Sequence, residues 1–405
     1  MLLAALVLRL AIAPFGQYEG DITLYRGWGD SLADDGPGNF YATSRADHLP
    51  GDLWVIWGLG EVVALDSREQ ALGTEAPVLV VKLVPILADL AIVALLFAIG
   101  RRLAGPRAGL VAAGLYAFNP APIFLASVWG QWDSLSAAFA LLAVLLFLRG
   151  QVVGALPALT YAALVKPQLA LIGVVFVAAA VLGPRKLRAS PRQFALGGAV
   201  SLAVLLALTL PFDVPPWPGD SSLFEQASTA FDRYQAPSVS AFNFWALWSD
   251  VLTSGDAYDS ATFALGISYR TWGAVLLLAA LAVAVVRYAG DPGPSRLLWA
   301  CLLVTTALFA LPTRVHERYF LPAIVFAAAV AACDRRYRAV AVLLSVSCFA
   351  NLYWIYNLSY EAPYIPQLSD GGDAMTTTFA LLNLGLLAFM LLRPPRSSED
   401  SSRSV

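Results

Sequence analysis

Charge is scarce in this chain. Only 13% of its 405 residues are Asp, Glu, Lys or Arg while 59% are hydrophobic. Apolar runs of membrane-spanning length recur, which excludes a soluble enzyme divided into domains of ~150 residues. Cysteine is also rare: Cys301, Cys333 and Cys348 lie in or at the ends of apolar segments without metal-ligand spacing. Neither a disulfide framework nor a metal centre is expected from them. The formal net charge of −2 brings no basic surplus and no call for a nucleic-acid partner. No internal repeat of the kind that marks many secondary transporters stands out.

What the chain has instead is a succession of apolar segments. A bilayer core of about 30 Å takes roughly 20 helical residues. Breaks at charged and Pro/Gly-rich positions give twelve segments: 1–15, 76–99, 108–119, 134–149, 151–165, 168–183, 194–211, 270–289, 296–312, 319–333, 338–357 and 375–392. The expected fold is an all-α polytopic membrane protein, a single domain over residues 1–392. Alternating the sides gathers Arg101, Arg102, Arg107, Arg149, Arg185, Lys186, Arg188, Arg192, Arg287, Arg296, Arg335, Arg336, Arg338, Arg393 and Arg396 on one face, the cytoplasmic one by the positive-inside rule. Two long loops, 16–75 and 212–269, then lie outside, and long loops in a compact protein carry function. Within the first loop, 53–65 is too short to span and reads as an interfacial helix. Residues 393–405 form a polar cytoplasmic tail, expected to be disordered.

Ionisable residues in or beside membrane segments are costly, so each needs an explanation. Asp21 follows the first segment among Glu19, Tyr25 and other aromatics. It reads either as a general base for an acceptor hydroxyl or as a helix cap. Lys82 and Asp89, seven apart, share a helical stripe and suggest a buried pair, unless Lys82 binds an anionic head group. Lys166 precedes Pro167 at the tip of a short hairpin, either gripping phosphate or reaching to water. In Thr313-Arg-Val-His-Glu-Arg318, Arg314 and Arg318 stand four apart and could share a helical face that clamps a phosphate, with His316 and Glu317 orienting them or moving protons. A salt-bridged corner is the other reading. The stretch Ser127-Val-Trp-Gly-Gln-Trp-Asp-Ser134 carries Trp129 and Trp132, which suit an interfacial belt, and Gln131 and Asp133, which do not. Asp133 can cap the following helix or line a sugar or acceptor pocket. These groups and the run Ser240 to Trp248, with Asn243 and Trp245, map to one leaflet, as a cavity for a lipid-linked phosphate requires.

An Asp in the first outer loop (Asp21), Trp129-Gly-Gln-x-Asp133, the Lys166-Pro-Gln tip, Phe242-Asn-x-Trp-Ala-Leu247 and His316-Glu-Arg before Tyr-Phe-Leu-Pro together resemble the GT-C glycosyltransferases. The nearer likeness is to bacterial mannosyltransferase-like proteins, akin to the second mannosyltransferase of GPI-anchor assembly and to dolichyl-phosphate-glucose glucosyltransferases. It covers roughly residues 16–360. The resemblance implies a GT-C bundle of about twelve transmembrane helices in the cell membrane. It implies inverting transfer of a hexose, mannose foremost, from a polyprenyl-phosphate carrier to a glycolipid, polysaccharide or protein hydroxyl on the extracytoplasmic face. Asp21 would be the base. Lys166, Arg314, His316 and Arg318 would hold the donor phosphate. Neither cofactor nor divalent metal is expected, because a phosphate monoester leaves with the polyprenol. The alternatives are a secondary transporter or lipid-linked-glycan flippase, which would place its polar groups near the midplane on repeated broken helices, and a ligase with a pyrophosphate-linked donor.

Overall fold

The computed structural model describes residues 1–44, 46–63, 75–184, 187, 190–248, 258–359 and 372–395. Arg185, Lys186, Arg188 and Arg396, the loop pieces 64–74 and 249–257, and the tail beyond 395 lie outside the described residues. Nearly everything described is helical, apart from one small hairpin, β1 (Thr262–Ala264) and β2 (Ile267–Ser268). The chain divides into two compact units: Met1–Ile92 with Ile123–Ala170 and Ala189–Arg233, and Val93–Pro122 with Leu171–Arg188 and Tyr234–Val405.

Among the described residues, five helices are long and apolar enough to cross a membrane: Val78–Ala104, Pro191–Phe212, Tyr269–Gly290, Arg336–Leu358 and Ala374–Leu392. The number rises to seven if two bent pairs each form one span. The twelve expected segments thus divide into helices of spanning length and shorter ones. Several apolar runs fold as helices of 11 to 17 residues, such as Asp133–Leu148, Val152–Val165, Ile172–Leu182 and Pro294–Ala310. At 1.5 Å per residue these fall short of a hydrocarbon core. Burial against protein accounts for the apolar character of Asp133–Leu148 and Pro294–Ala310, whereas Ile172–Leu182 leaves Val174, Val177 and Val181 exposed. Leu321–Cys333, with 12 of its 13 residues buried, is apolar all round because it is enclosed all round.

In the first unit, α1 (Leu2–Ile12) and a 3-10 turn end at Gly16, and α2 (Glu19–Asp35) departs at 99°. Much of the first long loop is thus helix, since α3 (Pro50–Val63) also belongs to it. Helices α2 and α3 cross where Gly29 meets Gly60; a Cβ on Gly60 would come 2.2 Å from the Gly29 carbonyl oxygen. Helix α4 (Glu75–Ala104) begins in this unit, followed in it by α5 (Asp133–Leu148), α6 (Val152–Val165), α7 (Pro191–Thr209) and α8 (Leu223–Asp232). Helix α6 stops where Pro167 dictates: Lys166 turns to an extended conformation and a 3-10 turn follows.

The second unit is built around the antiparallel run of Tyr269–Gly290, Pro294–Ala310 and Leu321–Cys333, with α9 (Arg336–Ser359) and α10 (Gly372–Leu392). Asparagines on the last two helices hold the loop before the hairpin. Asn351 donates to the Ser240 carbonyl at 2.7 Å and accepts from Phe242 N–H at 2.9 Å, and Asn383 donates to the Phe242 carbonyl at 2.8 Å.

Candidate active site

Asp21 lies in the first turn of α2, half-buried. Tyr18 caps that helix by backbone alone, so the capping explanation for Asp21 does not hold. Its Oδ2 instead accepts from the Trp129 indole N–H at 2.6 Å and the Gln131 amide at 2.8 Å. Gln131 is fixed in turn, since its Oε1 accepts from the Tyr25 hydroxyl at 2.7 Å and from Trp132 N–H at 3.1 Å. These two acceptances orient the amide with its NH2 toward Asp21. Among the described residues, Oδ1 of Asp21 makes no hydrogen bond. The result is a carboxylate anchored by one oxygen and open at the other.

The local backbone explains the reach of Trp129 and Gln131. Residues Phe124–Trp129 form a π-helical turn, a form associated with functional sites. It ends at Gly130 with φ of 92°, in the left-handed region. A Cβ there would also stand 2.6 Å from the Ile22 side chain. Trp129 stacks on Tyr18 with ring centroids 4.4 Å apart. Both Trp129 and Trp132 are 1% exposed, which corrects the reading of an interfacial belt: they line the interior and anchor the site. Glu19, by contrast, is exposed on the first turn of α2, where a negative charge suits the helix dipole.

Asp133 opens α5 without capping it through its side chain. It is buried, and its Oδ1 lies 4.0 Å from the ammonium of Lys166, itself buried rather than extended to solvent. Lys82 and Asp89, expected as a pair, each have other partners. Asp89 instead receives Arg9 Nε at 2.8 Å and the Ser134 hydroxyl at 2.6 Å. Lys82 donates to the carbonyls of Ala13, at 2.7 Å, and Gly16. Two helical turns, about 11 Å, separate positions 82 and 89 along α4. Lys82 thereby holds the carbonyls at the bend that aims α2.

In the second unit, Arg314 and Arg318 do not share a helical face, because the helical turn begins only at Glu317 and Arg314 has φ of 63°. The Arg314 fork closes on buried Asp259, Nε to Oδ2 at 2.6 Å and Nη2 to Oδ1 at 3.0 Å, while the Thr313 hydroxyl donates to the same Oδ2 at 3.0 Å. Arg314 N–H donates to the Ala236 carbonyl and Val239 N–H to that of Val315, joining the two segments beside His316. Arg318 lies 3.0 Å from Glu317 and 3.5 Å from His316 Nδ1. The His316 ring meets Tyr234 and Tyr319 edge-on. Asn243 and Trp245, expected in a pocket wall, are fully buried. Asn243 caps a 3-10 turn through Trp245 and Ala246 N–H, and the Trp245 indole donates to the Leu311 carbonyl at 2.8 Å. They hold the loop rather than line a pocket. The sequence reading missed Asp259, Asn351 and Asn383; an acidic residue in the second long loop was the available pointer to a partner for an arginine on that side.

No family model and no curated protein matches the sequence. Among solved structures, ArnT from Cupriavidus metallidurans bound to undecaprenyl phosphate is similar at 15% identity and a TM-score of 0.51, over 96% of this chain and 75% of that one. The archaeal oligosaccharyltransferase AglB from Archaeoglobus fulgidus, in complex with an inhibitory peptide and a dolichol-phosphate, aligns at 15% identity and a TM-score of 0.40, over 96% of this chain and 55% of its own. The likeness to ArnT shows a shared all-α polytopic fold, as the sequence led one to expect.

Proposed function

We propose that the protein is a membrane glycosyltransferase that moves a sugar from a lipid-phosphate carrier to a hydroxyl acceptor. The observation that carries this reading is Asp21, with Oδ2 held by two N–H donors and Oδ1 open. The fold shared with ArnT, whose structure contains undecaprenyl phosphate, supports a polyprenyl-phosphate donor.

In this mechanism Oδ1 of Asp21 takes the acceptor proton as the acceptor oxygen bonds to the anomeric carbon. The bond from that carbon to the phosphate oxygen breaks on the opposite face, the configuration inverts, and the polyprenyl phosphate departs with the electron pair. The sequence resemblance, and not a distance between the units, assigns Lys166, His316 and Arg318 to the phosphate, where cationic donors stabilise the growing charge. Glu317, 3.0 Å from Arg318, sets the direction of that guanidinium. Arg314 is assigned to holding its loop through Asp259, and this weighs against the two-arginine clamp of a pyrophosphate ligase. The donor sugar is a hexose, mannose first, the active site faces the extracytoplasmic side of the cell membrane, and no divalent ion takes part.

The test is transfer in proteoliposomes from a panel of radiolabelled polyprenyl-phosphate sugars to lipid, polysaccharide and protein acceptors. Asp21→Asn should abolish transfer while donor binding survives, and Arg318→Ala should weaken donor binding. Normal turnover by Asp21→Asn sinks the base assignment; an unchanged donor affinity in Arg318→Ala removes it from the phosphate site.

A further inference from the structure

The chain contains two histidines, and the reading above uses only His316. His48 belongs to the first unit and sits just ahead of α3. Its Nδ1 lies 2.6 Å from Oδ2 of Asp52. Asp52 is wholly buried in the first turn of α3, where the helix dipole favours an anion, and its Oδ1 has no hydrogen-bond partner among the described residues. The His48 carbonyl accepts from the Tyr41 hydroxyl at 2.7 Å. Burial, and then the Asp52 carboxylate, push that hydroxyl well above its usual pKa, so it remains a donor. The imidazole packs on Trp28 with centroids 5.0 Å apart and edge-on to Tyr25 at 6.0 Å.

The ring is therefore held through its nitrogen, its backbone and its face. What it leaves over is Nε2, which makes no hydrogen bond among the described residues, on a side chain 13% exposed. A carboxylate at Nδ1 fixes the orientation of the ring and leaves Nε2 as the nitrogen that can meet a hydroxyl.

Its location ties it to the groups already described. Asp21, Tyr25 and Trp28 follow one face of α2, with Trp28 about 10 Å along the axis from Asp21. Tyr25 joins the two ends, its hydroxyl on Gln131 beside Asp21 and its ring against His48. On the other side, the first turn of α3 abuts the last turn of α6: a Cβ on Gly51 would lie 2.5 Å from the Leu164 carbonyl carbon and 2.7 Å from Val165 N. The next residue is Lys166. His48 thus stands within the same neighbourhood as the assigned base and an assigned phosphate ligand of this unit.

We propose that His48, oriented by Asp52, makes a hydrogen bond through Nε2 with a ring hydroxyl of the donor sugar and so contributes to which sugar is transferred. This rests on the glycosyl-transfer reading and extends it to sugar choice. A site built to bond a hydroxyl leaves a buried polar group unmatched when that hydroxyl is missing, which is a strong source of discrimination.

Two histidines make a spectroscopic test direct. Protein labelled at histidine, in lipid nanodiscs, gives two imidazole spin systems, and His48→Gln identifies them. The probes are polyprenyl phosphate and polyprenyl-phosphate mannose, glucose and galactose. Polyprenyl phosphate should move only His316, and the sugar whose transfer is fastest should also move Nε2 of His48. A response at His316 with His48 silent for every sugar overturns the proposal and leaves the transferase reading standing. Silence at both histidines for all probes removes both. In kinetics, His48→Ala should reduce the preference for the natural sugar over its deoxy analogues by about tenfold, the worth of one hydrogen bond. His48→Gln, which brings an amide oxygen near the lost Nε2, should restore part of it. A uniform loss of kcat with unchanged discrimination, or loss only of thermal stability, counts against the role. Should the His48 variants fail to fold, His316→Gln makes the assignment and the wild-type titration decides.

Discussion

Gln131 and Trp129 converge on one oxygen of Asp21, and this places a demand on catalysis that differs from ligand binding. Hydrogen bonds to a charged group contribute about 1.5 to 3 kcal/mol. Gln131→Ala, or Trp129→Phe with its ring retained against Tyr18, should therefore lower kcat by roughly 10- to 100-fold while the donor KM changes little. The pair should be less than additive, because both act on the same carboxylate. Steady-state kinetics on both substrates check this; a raised KM with kcat intact would make the two residues ligand contacts instead. The stretch around Gln131 was conspicuous in the sequence because nothing else explained a carboxamide and a carboxylate between apolar runs. Its partner was not readable there, since the contact joins residues 110 apart and needs the left-handed turn at Gly130. Arg314 shows the converse. Its charge was visible and its use was ambiguous, until Asp259 was found closing both arms of the guanidinium.

Helices and loops explain how these side chains are kept in place. The bend between α1 and α2 is secured by Lys82 on two backbone carbonyls, and α1 is joined to α4 by the buried Arg9–Asp89 pair. In the second unit, α9 and α10 do the equivalent for the segment that runs beside His316. Asn351 supplies two hydrogen bonds to that segment, and Ser240 within it adopts φ of 63°, unfavourable for a residue with a side chain. Asn351→Ala should therefore release the loop, with a stability loss of about 1 to 3 kcal/mol from the unmatched backbone groups. It should also weaken donor binding, which isothermal titration with polyprenyl phosphate would measure, whereas Asn351→Asp, able to accept from Phe242 N–H, should keep part of it. An unchanged affinity would make Asn351 a packing residue only. Helix existence and the break at Lys166 were legible from apolar runs and from Pro167. The asparagine clamps were not, because an Asn in an apolar helix states a need for a partner without naming it.

At the scale of the whole molecule, composition alone gave the class, while the lengths of the segments came only with the structure. Hydropathy cannot distinguish lipid from protein as the apolar neighbour, so the sequence marked Val152–Val165 as apolar without saying what surrounds it. Sidedness rests on a separate physical signal. The arginines at 101, 102, 107, 149, 287, 335, 336, 338 and 393 fall on one side when the apolar segments alternate, and positively charged loops stay cytoplasmic. Replacing Cys301, Cys333 and Cys348 by Ser or Ala gives a background for single-cysteine labelling, with Leu265→Cys in the hairpin turn, 87% exposed, and Arg149→Cys after α5, also exposed. A membrane-impermeant maleimide should label Leu265→Cys in intact cells and Arg149→Cys only after permeabilisation. The reverse pattern would turn the protein over in the bilayer and move the proposed transfer to the cytoplasmic face. Labelling of both from outside would break the alternation itself, as expected if one of the bent helix pairs returns to its own side instead of crossing.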